Sequence, residues 1–232
     1  MVDFGDVFSQ ADENPLSSGG VWGAAWTGTT RPQVVSNKVR VATVNDYGYT
    51  LLSTAIGRNQ IAVLSLATWN NSNVGQNIAI LLLRSADSPT DTHYEMSIIK
   101  DPAPSTAFFT IYRSVAGAYT QLNSNTNLTV AAGDVFKFTV KGDFLEFYQN
   151  SLKLWAGRDG SPLNSGKIGF GAHVGTGGAL ADVEIRSFMG GDLPETIRNA
   201  TSRFRLSNLC MEDDGRFDDL DVRNWFRRML PA

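Results

Sequence analysis

One cysteine, Cys210, in 232 residues excludes an intramolecular disulfide, so the fold has to stand on buried apolar surface. Cys210 has no CxxC partner or metal-ligand spacing and reads as a small buried residue or a free thiol. The only histidines are His93 and His173. Neither lies in a nucleophile-elbow sequence, and each reads as a loop-edge residue rather than a member of a Ser-His-Asp triad. A basic excess is missing as well: the net charge is −3 and the pI about 5.4, which excludes a general nucleic-acid binder. No apolar run approaches the roughly 18 residues of a membrane-spanning helix. The opening MVDFGDVFSQADENP lacks the basic and apolar regions of a secretory signal. The expectation is a protein made in the cytoplasm, bound to neither nucleic acid nor membrane. Internal repeats and low-complexity tracts are also absent.

What the chain does hold is apolar residues, 42% of the total, in short stretches with turn residues between them. The centre of the pattern is 130–155, VAAGDVFKFTVKGDFLEFYQNSLKLW. Phe136, Phe138 and Val140 alternate with Lys137, Thr139 and Lys141, the period-2 signature of a half-buried strand. Gly142-Asp143 supplies a two-residue turn. Leu145 and Phe147 resume the apolar face, Asn150-Ser151 turns again, and Leu152 and Leu154 are expected to point inward. Three strands are not stable alone and need a second layer. Further strands are expected near 6–8, 33–43 (a hairpin about Ser36-Asn37), 49–54, 61–68, 78–84, 94–100, 107–113, 167–173 and 181–188. Regularly spaced short strands of this kind predict an all-β antiparallel sandwich. The predicted core includes Phe136, Phe138, Val140, Leu145, Phe147, Leu154, Ile168 and Phe170.

Composition changes at Met189-Gly190-Gly191, and the glycine pair reads as a hinge. Beyond it come seven Arg, eight acids and no Lys. Asp192-Leu193-Pro194-Glu195 is a helix-start pattern. A second helix is expected over 217–230, with acids at its start and arginines at its end, as the helix dipole favours. The domain division is therefore 1–189, sandwich, and 190–232, a short helical C-terminal arm. Phe217, Leu220, Trp225, Phe226 and Met229, flanked by Arg223, Arg227 and Arg228, form the aromatic-and-arginine combination of an interface centre. They are the predicted protein-interface residues.

Gly133-Asp134, Leu145–Tyr148, Asn150 and Ser165-Gly166-Lys167-Ile168-Gly169 resemble the concanavalin A-like lectin/glucanase superfamily, and in particular LamG-like jelly-roll modules of bacterial and phage proteins. Asp6–Leu16 with Trp22, and Tyr112–Ser124, match the opening and a hairpin of the same modules. Gln10 replaces the usual Arg, and Ser151 the usual Gly. The resemblance covers roughly residues 4 to 190 and implies the sandwich fold. It leaves function open, because the fold hosts lectins, glycosidases and structural domains.

Retaining glycosidases of this superfamily carry E-x-D-x-x-E on one strand, and no such motif occurs here. Asp182 and Glu184 lie on one strand face without a third acid and read as a solvated surface. No catalytic residue and no metal ligand is assigned, and no cofactor is expected. One structural calcium is compatible with the resemblance, with Asp87, Asp91 and Asp101 as candidate oxygens, but no regular D-x-D spacing supports it. Gly175–Gly178 leads toward a strand and reads as a hairpin turn rather than a phosphate cradle. For carbohydrate binding the candidates are Trp22, Trp26, Trp69 and Trp155, because exposed indoles stack on sugar faces. Trp155 is out of phase with Leu152 and Leu154 and should point away from the core. The expected function is a non-enzymatic virion structural protein of a tailed phage, either a capsid decoration or a tail-associated subunit. Its expected partners are other virion proteins, copies of itself and a host surface glycan. The alternatives are a carbohydrate- or receptor-binding module and, more weakly, a glycoside hydrolase-like enzyme.

Overall fold

The computed structural model describes residues 3–24, 30–71, 75–86, 91–102, 106–123 and 126–193. All the predicted arm residues, Phe217, Leu220, Arg223, Trp225, Phe226, Arg227, Arg228 and Met229, lie outside the described residues, as do Trp26, Asp87 and Cys210.

The described chain is β throughout, apart from two single-turn 3₁₀ segments at Ser18–Gly20 and Leu180–Asp182. In order the strands are β1 (Asp3–Asp6), β2 (Trp22–Ala24), β3 (Gln33–Val35), β4 (Lys38–Arg40), β5 (Tyr47–Leu52), β6 (Gln60–Trp69), β7 (Asn77–Ser85) and β8 (His93–Lys100). They continue with β9 (Ala107–Val115), β10 (Ala118–Gln121), β11 (Thr126–Leu128), β12 (Val135–Lys141), β13 (Phe144–Gln149), β14 (Leu152–Arg158), β15 (Lys167–Val174) and β16 (Val183–Asp192). These strands pair antiparallel throughout the described residues. Sheet I runs β14-β13-β12-β6-β16-β4-β3, with β1 also on β16, and sheet II runs β10-β9-β8-β7-β15-β5-β2, with β11 also on β9.

The central meander forms because each period-2 stretch meets a turn that its residues can make. Gly142 takes φ +62° between β12 and β13, and Asn150 and Ser151 take φ +47° and +70° between β13 and β14. The last pair is the mirror-image two-residue turn that matches strand twist. Phe138 sits between Ala62 of β6 and Phe147 of β13, and all three are sealed from water. Between the sheets the aromatic rings interlock: Trp22 meets Phe170 edge-on at 5.0 Å and Phe188 at 5.3 Å, and Phe109 meets Phe147 at 4.7 Å. Seven of the eight predicted core residues are fully buried, and Leu154 is partly so.

Two expectations fail, each for a local reason. Strand β14 carries a bulge: Phe147 faces Trp155, but Tyr148 faces Lys153, so Leu154 is the extra residue. An extra residue reverses the alternation beyond it. Trp155 therefore packs on the core side with Phe147, while Leu152, at the sheet edge, is 67% exposed. The second failure is the hinge. Strand β16 continues through Gly190 and Gly191, which pair with Ala62 and Ile61 on one side and with Phe4 and Asp3 on the other. A Cβ on Gly190 would collide with the Ile168 side chain and lie 2.5 Å from the Ile61 carbonyl oxygen. The glycine is there for close sheet packing.

Candidate functional site

The tryptophans proposed for sugar stacking are structural where they are described. Trp22 is 1% exposed, its ring held among Phe4, Phe8, Phe170 and Phe188. Trp69, at 6%, packs in the same core and donates its indole N–H to Asn71 Oδ1 at 2.8 Å. Trp155 lies over Gly157, where a Cβ would strike the indole. Trp22 and Trp69 thus offer no open ring face to a glycan, while Trp155 is half-buried.

The functional groups gather instead on the outer face of sheet II. Tyr94, Met96 and Ile98 of β8 enter the core between the sheets, so His93, Glu95, Ser97 and Ile99 take the opposite face. By the same alternation β9 presents Phe108, Thr110, Tyr112 and Ser114, β7 presents Ile78, Ile80 and Leu82, and β5 presents Tyr47, Tyr49 and Leu51. Cross-strand register lines these up: Tyr49, Gly171, Ile80, Ser97 and Thr110 form one row across the sheet, and Leu51, Gly169, Leu82, Glu95 and Tyr112 the next. Tyr49, Leu51, Ile78, Ile80 and Leu82, with Ile99 against them, make a second apolar cluster distinct from the main core.

Aromatic rings flank this floor on both sides. On β5 and β15, Tyr47 stacks on His173 at 4.2 Å and on Tyr49 at 5.8 Å. On β9 and β10, Tyr119 meets Tyr112 at 5.8 Å and His93 at 5.9 Å, each edge-on. Tyr47 and Tyr119 are 39% and 48% exposed. Tyr49 and Tyr112 stand four strand spacings apart, about 19 Å. Both histidines lie at strand ends on this face: His93 opens β8 and His173 is the last residue but one of β15.

Glu95 is the charged group at the centre. Its Oε1 accepts from the Ser97 hydroxyl, and its Oε2 lies 3.3 Å from His93 Nε2. Burial first, and the Glu95 charge second, raise the pKa of the Tyr47 phenol and push that of Tyr49 well up, and the same two causes lead for Tyr119, which also donates to Asp91 Oδ2 at 2.8 Å. These phenols therefore remain protonated hydrogen-bond donors through neutral pH. Burial lowers the pKa of His173, against an opposing effect of the Asp46 carbonyl at 3.1 Å. The signal for this face was present in His93-x-Glu95-x-Ser97, a polar series in phase opposite to Tyr94-x-Met96-x-Ile98.

No protein-family model matches the sequence, and no curated protein does. Similarity appears among solved structures. The carbohydrate-binding module CBM66 from Bacillus subtilis superposes with a TM-score of 0.53 at 13% identity, over 74% of this chain and 92% of that one. The fold is that of the concanavalin A-like lectin/glucanase sandwiches. The CBM2 module of the evolved Dit of Lactobacillus casei BL23 phage J-1 gives 0.54 at 12% identity, over 81% and 93%. The Crh5 transglycosylase gives 0.56 at 10% identity, over 83% and 84%.

Within this concanavalin A-like sandwich the acids singled out in the sequence have structural duties. Glu184 is buried, not solvated, and its Oε2 accepts from Lys38 Nζ and Thr68 Oγ1, each at 2.7 Å. Asp182, also buried, accepts from Asn70 Nδ2 and from the Ala179 backbone N–H. Asp91 and Asp101 fall at opposite ends of β8, ten residues and about 30 Å of strand apart, so the two cannot share one calcium ion. Among the described residues no group of three or more acids, histidines or cysteines could hold a metal. Gly178 N–H donates to the Gly175 carbonyl at 3.1 Å and closes a turn, but β15 and β16 belong to different sheets, so the link crosses between the sheets and is not the expected hairpin. The Gly133-Asp134 pair also has its explanation. Asp134 accepts from Ala131 N–H, Gln149 Nε2 and Asn150 Nδ2, and so fastens the loop before β12 to the β13–β14 turn.

Proposed function

We propose that this protein is a non-enzymatic glycan-binding module that recognises sugar on the outer face of sheet II. The observation that carries the reading is the pair of aromatic clusters, Tyr47/Tyr49/His173 and Tyr112/Tyr119/His93, flanking the central Glu95. Tyrosine rings supply apolar area against the C–H face of a pyranose and a hydroxyl for its polar edge.

The carboxylates support binding rather than hydrolysis. Glycosidic cleavage takes two carboxyl groups about 5 to 9.5 Å apart. Asp91 precedes Glu95 by four residues, about 13 Å at an extended rise, and His93 stands between them.

The reading extends to a setting: a capsid- or tail-associated subunit of a tailed-phage particle, assembled with other virion proteins and copies of itself through the segment 194–232, and presented to a host surface glycan. The lack of a disulfide framework and the likeness in fold to a phage Dit module support that setting.

The test is glycan binding by the purified full chain, by array and calorimetry. Tyr47→Ala and Tyr119→Ala should each weaken the bound glycan by at least about tenfold, the loss of one stacking contact, with the melting temperature held. Trp22→Phe should leave affinity unchanged. If both tyrosine variants bind like the parent chain, the assignment of this face is wrong.

A further inference from the structure

We propose that the two aromatic clusters are separate subsites at opposite corners of sheet II, an inference that rests on the glycan-binding reading. The ligand class that fits is a long or densely repeated glycan, gripped at two points, and not a short oligosaccharide.

Access to the face is confined to its corners. In the middle, Tyr49, Ile80, Leu82, Glu95, Ser97 and Thr110 are each no more than 8% exposed. A Cβ on Gly171 would lie 2.7 Å from the Tyr49 ring, so that ring covers the β15 backbone. Glu95 is engaged by Ser97 and His93 and belongs to this closed floor. Tyr47 and Tyr119 are the exposed tyrosines of the face, and they stand at its two ends. A sugar therefore meets an aromatic ring at either end of the floor and not along it.

Register fixes how far apart the ends are. Tyr47 pairs with His173, His173 with Ile78 and Ile78 with Ile99. Tyr119 pairs with Ser114, and Ser114 with His93. Five strand spacings separate β5 from β10, about 24 Å, and Ile99 lies six residues beyond His93 along β8, about 20 Å. The two rings thus stand about 30 Å apart, corner to corner. A sugar stacked on one cannot touch the other.

Each corner is complete without its counterpart. Tyr47 lies nearly parallel to His173, with 19° between the planes at 4.2 Å, and His173 Nδ1 is 3.1 Å from the Asp46 carbonyl oxygen. Tyr119 is braced edge-on by Tyr112 and His93, and its hydroxyl donates to Asp91 Oδ2. Rings held in place before binding lose little freedom when a sugar stacks on them. A subsite with one exposed ring still makes a weak contact. Joining two such contacts through one chain makes the second binding event intramolecular, which raises affinity by about 100- to 10,000-fold without any new contact. The gain requires a chain that spans the two corners.

The experiment uses the full chain, with equilibrium dialysis for the number of sugars bound and calorimetry for affinity. The probes are the disaccharide and the long chain of one glycan, a β-glucan or agar where these bind and otherwise the strongest glycan of the array. The parent chain should take up two disaccharides and bind the long chain at least about 100-fold more tightly. Tyr47→Ala and Tyr119→Ala should each leave one disaccharide bound and bring the long chain to within about tenfold of it. The double variant should bind neither probe. One disaccharide per parent chain overturns the inference while leaving the glycan reading in place, and needs no variant to fold. Loss of all disaccharide binding in either single variant of unchanged melting temperature also overturns it, as does a long chain bound no more tightly than the disaccharide. No binding to any glycan by the parent chain defeats the glycan reading itself.

Discussion

The indole N–H of Trp22 donates to Asp6 Oδ2 at 2.9 Å, while Asp6 Oδ1 accepts the backbone N–H of Phe8 at 2.7 Å. One carboxylate thus ties the end of β1 to the largest ring of the core, and the Asp-x-Phe…Trp spacing acquires a structural purpose. Asp6→Ala leaves two donors without that partner and should destabilise the sandwich by about 1–3 kcal/mol in urea unfolding. A loss under about 0.5 kcal/mol would show that water replaces the carboxylate without penalty.

Ser151 occupies a left-handed position, φ +70°, in the β13–β14 turn. A side chain there is strained where glycine is not. Ser151→Gly should therefore stabilise the protein by about 0.5–1 kcal/mol, which for this size raises the melting temperature by about 1–4 °C. A lower melting temperature would mean that Ser151 makes a contact worth more than the strain.

Gly190→Ala should cost about 1–3 kcal/mol, because its Cβ would press on Ile168 and the Ile61 carbonyl. Were the pair a hinge, the substitution would be almost neutral; chemical denaturation separates the two.

His173 gives a pH signature. Burial holds its pKa below the ordinary 6.5, so the native state favours the neutral ring. Its contribution is present above pH 6.5 and is lost as pH falls from there through the lowered native value. His173→Phe, which keeps a ring beside Tyr47, should flatten that part of the stability-against-pH curve. An identical slope in parent and variant would remove His173 as its source.

The arm proposal calls for truncation after Leu193, not after Gly191. Asp192 Oδ1 accepts Gly57 N–H, and Leu193 N–H donates to the Asn59 carbonyl at 2.8 Å. If residues 194–232 are an attachment device, the shortened chain keeps its melting temperature and loses assembly, and Trp225→Ala in the full chain reproduces the defect. Loss of several degrees on truncation would instead assign the arm to stability.

Period-2 alternation determined the central strands and their inward faces, because successive side chains of a strand point to opposite sides of its sheet: Phe136, Phe138, Val140, Leu145 and Phe147 were legible on that rule alone. Turn residues determined where the meander reverses. The Trp155 orientation was not legible, because a one-residue bulge inverts phase and is set by pairing with β13, a partner no local pattern names. The glycan face was hidden for a related reason. Tyr47, Glu95, Tyr112, Tyr119 and His173 are scattered over 127 residues and meet only through the register of β5, β15, β7, β8, β9 and β10. Each could be read locally as the wet side of a strand. Which of the two outer sheet faces gathers aromatic rings around one carboxylate was decided by strand order, and strand order is a property of long-range pairing.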